Sequence, residues 1–259
     1  MIKIDDGAIS SWAEDGRQLL VATVQIPESS YFWVFDATAK ADGGLVACGK
    51  AKDRDGRIGG FLYFIRADRT EPRIVRTAPY VPVKVVIASD NSLWTAGYDA
   101  NPYALRDKDA TIIRHFDAAG RLLEGFVKQS SLRDRGIELP GTGEDSFALS
   151  SSGIAAWSGA HAQIYVEVTG GQVHEYPGVP LADHEFVDGL AVLQSGEAIA
   201  SVTNHYSGVR LYRLNRSTAS WREVRGIGDV DVLRFLGQSG DRLVLQSKDR
   251  VDFGFVEIK

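Results

Sequence analysis

An all-β chain folded as a β-propeller is what the sequence predicts, and two observations carry the prediction. Apolar residues alternate in short runs, as in Leu62-Tyr63-Phe64-Ile65, Ile164-Tyr165-Val166-Glu167-Val168 and Arg210-Leu211-Tyr212-Arg213-Leu214, which is the period of a strand and not of a helix. A turn followed by a strand of small apolar residues also recurs along the chain: ADGGLVACG from Ala41, SDNSLWTAG from Ser89, LSSSGIAAWSG from Leu149, QSGEAIASV from Gln194 and QSGDRLVLQ from Gln238. Asp42, Asp90, Ser151, Ser195 and Ser239 mark the register, at spacings of 48, 61, 44 and 44 residues. Four strands in roughly 45 residues is the unit of a propeller blade.

The elements follow in order. Blade one runs from about Tyr31 to Ala78, blade two from Val81 to Val127, blade three from Asp145 to Gly178 and blade four from Phe186 to Gly226. The turns between strands fall on Asp15-Gly16, Asp42-Gly43, Asp55-Gly56, Gly170-Gly171, Ser195-Gly196 and Ser239-Gly240, where glycine supplies a positive φ. The long spacing holds a polar insertion, KQSSLRDRGIELPGTGED, from Lys128 to Asp145. No amphipathic helix longer than two turns is evident. The fifth blade has three strands, from Val230, Arg242 and Val251, so the N-terminal run RQLLVATVQI, Arg17 to Ile26, is expected to supply its fourth and close a ring of five four-stranded blades. A strand at Ile2–Asp5 would instead begin a sixth blade, and a two-sheet β-sandwich is the remaining alternative. The whole chain, 1–259, is expected to form one domain.

Composition bounds the function. The 259 residues are 44% hydrophobic and 24% charged, ordinary for a globular chain able to bury a core without metal or disulfide staples. With 29 basic and 34 acidic residues the net charge is −5, which gives no whole-chain basis for binding nucleic acid. Cys48 is the only cysteine, so no internal disulfide forms. No segment approaches the ~20 apolar residues of a membrane span. The start, MIKIDDGAIS, lacks the pattern of a signal peptide, which fits a cytoplasmic protein and equally a mature exported chain without its leader.

The segment ASDNSLWTAGYD followed by ATIIRHFDAAGRLLEGF, with Asp117 and Gly120 at the hairpin tip, resembles the NHL-like and six-bladed β-propeller proteins of bacteria. That class includes scaffolds, ligand-binding sensors and lactonase-type enzymes, so the resemblance implies a fold more than an activity. The lactonase type implies a divalent ion held by carboxylate and amide side chains of several blades. Asn204 with Glu185 is the pair this sequence offers toward it, short of a complete set.

Acidic residues gather near three predicted inner strands: Glu144 and Asp145, then Asp183, Glu185 and Asp188, then Asp229 and Asp231. Such a ring suits a hard cation, or the two carboxyls of a glycosidase; the plainer reading is solvated turn carboxylates. Asp183-His184-Glu185, with His205 in the same blade, is the densest group of metal-ligating types. Adjacent strand residues point to opposite faces, so His184 is expected to turn away from its neighbours. No G-x-S-x-G elbow is present, and Cys48 reads as a small core residue. Trp33, Trp94 and Trp157 fall on successive blades, either wedged between them or exposed to stack on a sugar or a protein partner. The expectation is therefore a non-catalytic binding or protein-interaction module for a protein, small-molecule or glycan ligand, with no cofactor beyond a possible divalent cation. A metal-dependent hydrolase of the lactonase or glycosidase type is the alternative.

Overall fold

The structure, a computed structural model, describes residues 2–5, 7–12, 18–68, 71–100, 110–141, 146–204, 209–224, 232–239, 242–247 and 253–257. Its elements are antiparallel strands gathered into sheets of consecutive strands. They fall into two compact units, Met1–Gly143 and Glu144–Lys259.

The first unit holds three sheets. The first comprises β1 (Ile2–Asp5), β2 (Ala8–Trp12) and β3 (Gln18–Thr23); the second β4 (Ser29–Ala39), β5 (Leu45–Asp53), β6 (Ile58–Ile65) and β7 (Arg73–Arg76); the third β8 (Tyr80–Ile87), β9 (Leu93–Asp99), β10 (Thr111–Phe116) and β11 (Leu122–Lys128). A short helix, α1 (Gln129–Asp134), follows. In the second unit, β12 (Ser146–Leu149) to β15 (Gln172–Pro177), with β13 (Ala155–Ser158) and β14 (Ile164–Thr169) between, form one sheet. The next contains β16 (Phe186–Val192), β17 (Ala198–Thr203), β18 (Arg210–Asn215) and β19 (Ser220–Glu223). The last contains β20 (Val232–Ser239), β21 (Arg242–Ser247) and β22 (Phe253–Glu257).

The recurring turn-and-strand segments join the first two strands of the five sheets after the N-terminal one, leading into β5, β9, β13, β17 and β21. At four of them the backbone repeats one pattern. Lys40 and Gly44, Ala88 and Ser92, Ser150 and Ile154, and Leu193 and Glu197 close the turn, and the residue before the closing position lies at positive φ: Gly43 at 84°, Asn91 at 67°, Gly153 at 83° and Gly196 at 86°. This is a three-residue hairpin loop with a bulge, which requires a residue tolerant of the left-handed region. The register residues Asp42, Asp90 and Ser195 then accept the N–H of the residue two positions on, at 2.9, 2.9 and 3.4 Å. An acidic or Ser turn therefore recurs because its side chain satisfies a backbone donor.

Period-two alternation explains the many small apolar strands. In β5 and β6, Leu45, Ala47, Phe61, Tyr63 and Ile65 pack toward the first sheet with Ile9, Val24, Ile26 and Val34. Their neighbours Val46, Cys48, Leu62 and Phe64 pack the other way, against Tyr80, Val85, Leu93 and Phe116. The same split occurs in the second unit, where Ala198, Ala200 and Val202 of β17 join one core and Ile199 joins the next. A middle sheet buried on both faces needs apolar residues at odd and even positions alike.

One expectation is corrected. Within the run from Arg17 to Ile26, Gln18–Thr23 forms β3, but among the described residues β3 pairs with β2, with Ala8 opposite Thr23 and Ile9 opposite Ala22, and is not a strand of the last sheet. Local pairing closes a shorter loop than pairing across the whole chain, and β1 and β2, joined through Gly7 at φ 78°, are already there to receive it. The described residues thus form six sheets, four of four strands and two of three. No described helix is long and apolar enough to cross a membrane.

Candidate functional site

The carboxylates singled out in the sequence do not converge in the described residues. Glu144, Asp145, His205, Asp229 and Asp231 lie outside those residues. Asp183 and His184 are exposed in the turn before β16, with His184 at φ 65°. Glu185 is not a solvated turn carboxylate: its side chain is only 9% exposed, pairs with Arg210 of β18, and accepts the Ala182 N–H at 2.7 Å. Asp188 accepts a hydrogen bond from the Ser201 hydroxyl across the β16–β17 pair. Asn204, just after β17, is half-buried and engaged. Among the described residues no group of three or more His, Cys, Asp or Glu side chains is placed to hold a metal ion.

The histidines are dispersed. His115 on β10 stacks on Trp94 at 4.4 Å, and its Nε2 lies 2.9 Å from the Ser92 hydroxyl; partial burial lowers its pKa. His161 and His174 are exposed. Cys48 is buried in the core of β5, where desolvation pushes its thiol well above the usual range; a thiol so held is a poor nucleophile.

The tryptophans divide. Trp94 and Trp157 are buried at 9% and 1% exposure, as interior residues. Trp33 is 53% exposed and its strand neighbour Tyr31 is 50% exposed. Both border a groove of about 720 Å³ lined by residues 29–35 of β4 together with Ile4, Gly7 and Ile26.

Local sequence builds this groove. In SSYFWVFD, Phe32 and Val34 enter the core shared with the first sheet, so period-two geometry turns Tyr31 and Trp33 to the other face. They stand opposite Lys52 and Lys50 of β5, respectively. A bulge between Val34 and Asp36 makes Phe35 an extra residue, and the Lys50 ammonium lies 5.4 Å from the centre of its ring. Gly49 permits the close approach of β5: a Cβ there would lie 2.0 Å from the Trp33 carbonyl oxygen. Ser30 Oγ donates to the carbonyls of Lys52 and Asp53, both at 3.2 Å, and Arg76 donates to the Pro27 carbonyl at 3.0 Å. Past the bulge, the Asp36 carboxylate accepts the Val85 N–H at 2.9 Å and so ties β4 to β8. Desolvation raises its pKa, opposed by the Lys84 ammonium.

Sequence reasoning included Trp33 among its aromatics but missed Tyr31 as its partner, and missed the groove. The signal was Tyr31-x-Trp33 facing Lys50-x-Lys52. What hid it was an unbroken apolar run, which reads as a strand buried on both faces.

No protein-family model matches the chain, and no curated protein matches its sequence. Solved structures do. YCF48 bound to D1 peptide is similar at 10% identity with a TM-score of 0.55, over 93% of this chain and 69% of that one. The Pan2 WD40 domain of Neurospora crassa is similar at 10% identity and 0.55, over 98% and 70%. A gluconolactonase from Xanthomonas campestris is similar at 16% identity and 0.51, over 98% and 80%. These neighbours are β-propeller proteins, and the likeness extends to the fold. With no family match, the NHL-like resemblance narrows to that fold.

Proposed function

We propose that this chain is a non-catalytic binding module that receives its ligand in the groove along β4. The observation that carries this reading is the pair of half-exposed aromatic side chains, Tyr31 and Trp33, standing side by side over a 720 Å³ groove. Ligand sites are concave and aromatic-rich, with a few polar groups at defined positions, and Trp and Tyr anchor ligands because they bury large area at small entropic cost. The commitment of Glu185 to Arg210 and of Asp188 to Ser201 supports binding over the hydrolase alternative, which would need those carboxylates for an ion or for acid–base work. YCF48 bound to D1 peptide is a relative in fold whose partner is a peptide, and supports a protein-like ligand here.

The test is a screen of the intact protein against arrays of peptides and glycans, followed by Trp33→Ala and Tyr31→Ala. The reading expects every genuine binder to weaken at least tenfold in either variant while the melting temperature holds within about 2 °C, as for other surface substitutions. Binders indifferent to both substitutions would overturn it.

A further inference from the structure

Resting on that reading, we infer that the groove's ligand is an extended acidic peptide segment, held by strand addition to the free edge of β4. Two features of the groove specify this.

The first is geometric. Seven consecutive residues, 29–35, line the groove. Side chains alternate between the faces of a strand, so a cavity lying on one face would meet every second residue. Contact with all seven places the groove along the strand's rim, where the backbone N–H and C=O groups emerge. Among the described residues that rim is open: in the order β4-β5-β6-β7 the first strand is an end strand, paired within the sheet with β5. β1, which contributes Ile4 to the groove, is likewise the end strand of its own sheet. Seven residues span ~20 Å at strand rise, enough to template a segment of comparable length. An open edge is a ready template for another chain, with main-chain hydrogen bonds supplying affinity and alternate side chains supplying specificity.

The second is charge. In a chain of net charge −5, the cross-strand partners of Trp33 and Tyr31 are both lysines. Neither Lys50 nor Lys52 has a carboxylate partner among the described residues. The Lys50 ammonium reaches from β5 across to Phe35, itself a lining residue of the groove, which brings its charge beside the free edge. A strand laid there would put every second side chain on the face of Tyr31 and Trp33, so Asp or Glu at alternate positions would meet the lysines. Apolar or aromatic residues at the remaining same-face positions would pack on the two rings. A sugar would use the rings but has no use for the backbone edge.

The probe is a library of capped heptapeptides screened against the intact protein, with a glucan oligosaccharide set run in parallel. The inference expects enriched peptides to carry Asp or Glu at alternate positions. The best of them should lose at least tenfold in affinity when alternate backbone nitrogens are N-methylated, which removes strand hydrogen bonds and leaves side chains in place. It should lose similarly with Lys50→Glu plus Lys52→Glu, a variant that should in turn prefer basic peptides, and weaken as salt rises. Enrichment of basic or uncharged peptides, or indifference to N-methylation, would overturn the inference. Oligosaccharide binding lost in Trp33→Ala, without peptide binding, would overturn it while leaving the groove as the binding site. Peptide or sugar binding unaffected by Trp33→Ala would overturn both readings.

Discussion

The close approach of β5 to β4 is open to a direct test at Gly49. An added Cβ would lie 2.0 Å from the carbonyl oxygen of Trp33 and 2.8 Å from Cζ of Phe61. The Phe61 ring is fully buried, and the carbonyl belongs to the backbone of the groove strand, so neither can swing aside. Overpacking a filled interior costs roughly 1–3 kcal/mol, and because the obstacle here is main chain we expect the upper end, about 3 kcal/mol, for Gly49→Ala. At the 2–4 °C per kcal/mol typical of chains this long, the melting temperature should fall by about 6–12 °C. Gly153→Ala is the control: it lies at φ 83° with nothing within 4 Å of its Cβ, so it carries only the strain of a left-handed alanine, about 1 kcal/mol. Thermal melts and urea titrations of both variants measure the difference. The relief of the clash must also move the Trp33 carbonyl, so ligand affinity should drop in Gly49→Ala and stay unchanged in Gly153→Ala. A Gly49→Ala protein melting within 2 °C of the parent would refute the placement of β4 against β5.

Further expectations concern the carboxylates. Glu185→Ala should destabilise by about 1 kcal/mol, a modest figure because the Arg210 guanidinium is partly solvated, and added calcium or zinc should not shift the melting temperature of either protein; a metal-dependent shift abolished in the variant would restore Glu185 as a ligand. For Asp36, the native pKa lies above the unfolded value of about 3.9, so the native state holds the proton more tightly and stability falls as pH rises from about 4 through the native value. Asp36→Asn keeps an acceptor for the Val85 N–H and should flatten that fall, and urea titrations from pH 4 to 8 showing the same slope in both proteins would contradict it. At Asp90 the sign reverses: hydrogen bonds from Ser92 depress the carboxyl, so its contribution is present above the unfolded value and lost as pH drops through the lower native one. Asp90→Ala should therefore cost up to about 1 kcal/mol at pH 7, as for a lost capping side chain at an exposed site, and close to none once the pH is well below the depressed native value.

Much of the sheet architecture was legible because turns are local. The pairs Asp42-Gly43, Asp55-Gly56 and Gly170-Gly171 fall where the glycines adopt positive φ, and the repeated register locates the opening hairpin of every sheet after the N-terminal one. At the N-terminus the alternative strand at Ile2–Asp5 is the one that forms, and its signal is local: Asp6-Gly7 sits between IKID and AISSW as a two-residue hairpin turn would. The site was harder to read. Carboxylates cluster in sequence for reasons of turn chemistry, and whether one meets a cation or an arginine depends on a residue far along the chain, as Arg210 is from Glu185. Trp33 and Trp94 look alike in sequence, yet Trp33 is half-exposed and Trp94 buried, a difference set by neighbouring sheets that no pattern within SSYFWVFD encodes.

The central claim, that ligand binds over Tyr31 and Trp33, is tested most directly by the indole N–H signals of ¹⁵N-tryptophan-labelled protein, with Trp33 assigned by Trp33→Phe. Titration with the best peptide from the library should move the Trp33 signal in proportion to occupancy and leave those of the buried Trp94 and Trp157 in place. A saturating ligand that leaves the Trp33 signal unmoved would contradict the account.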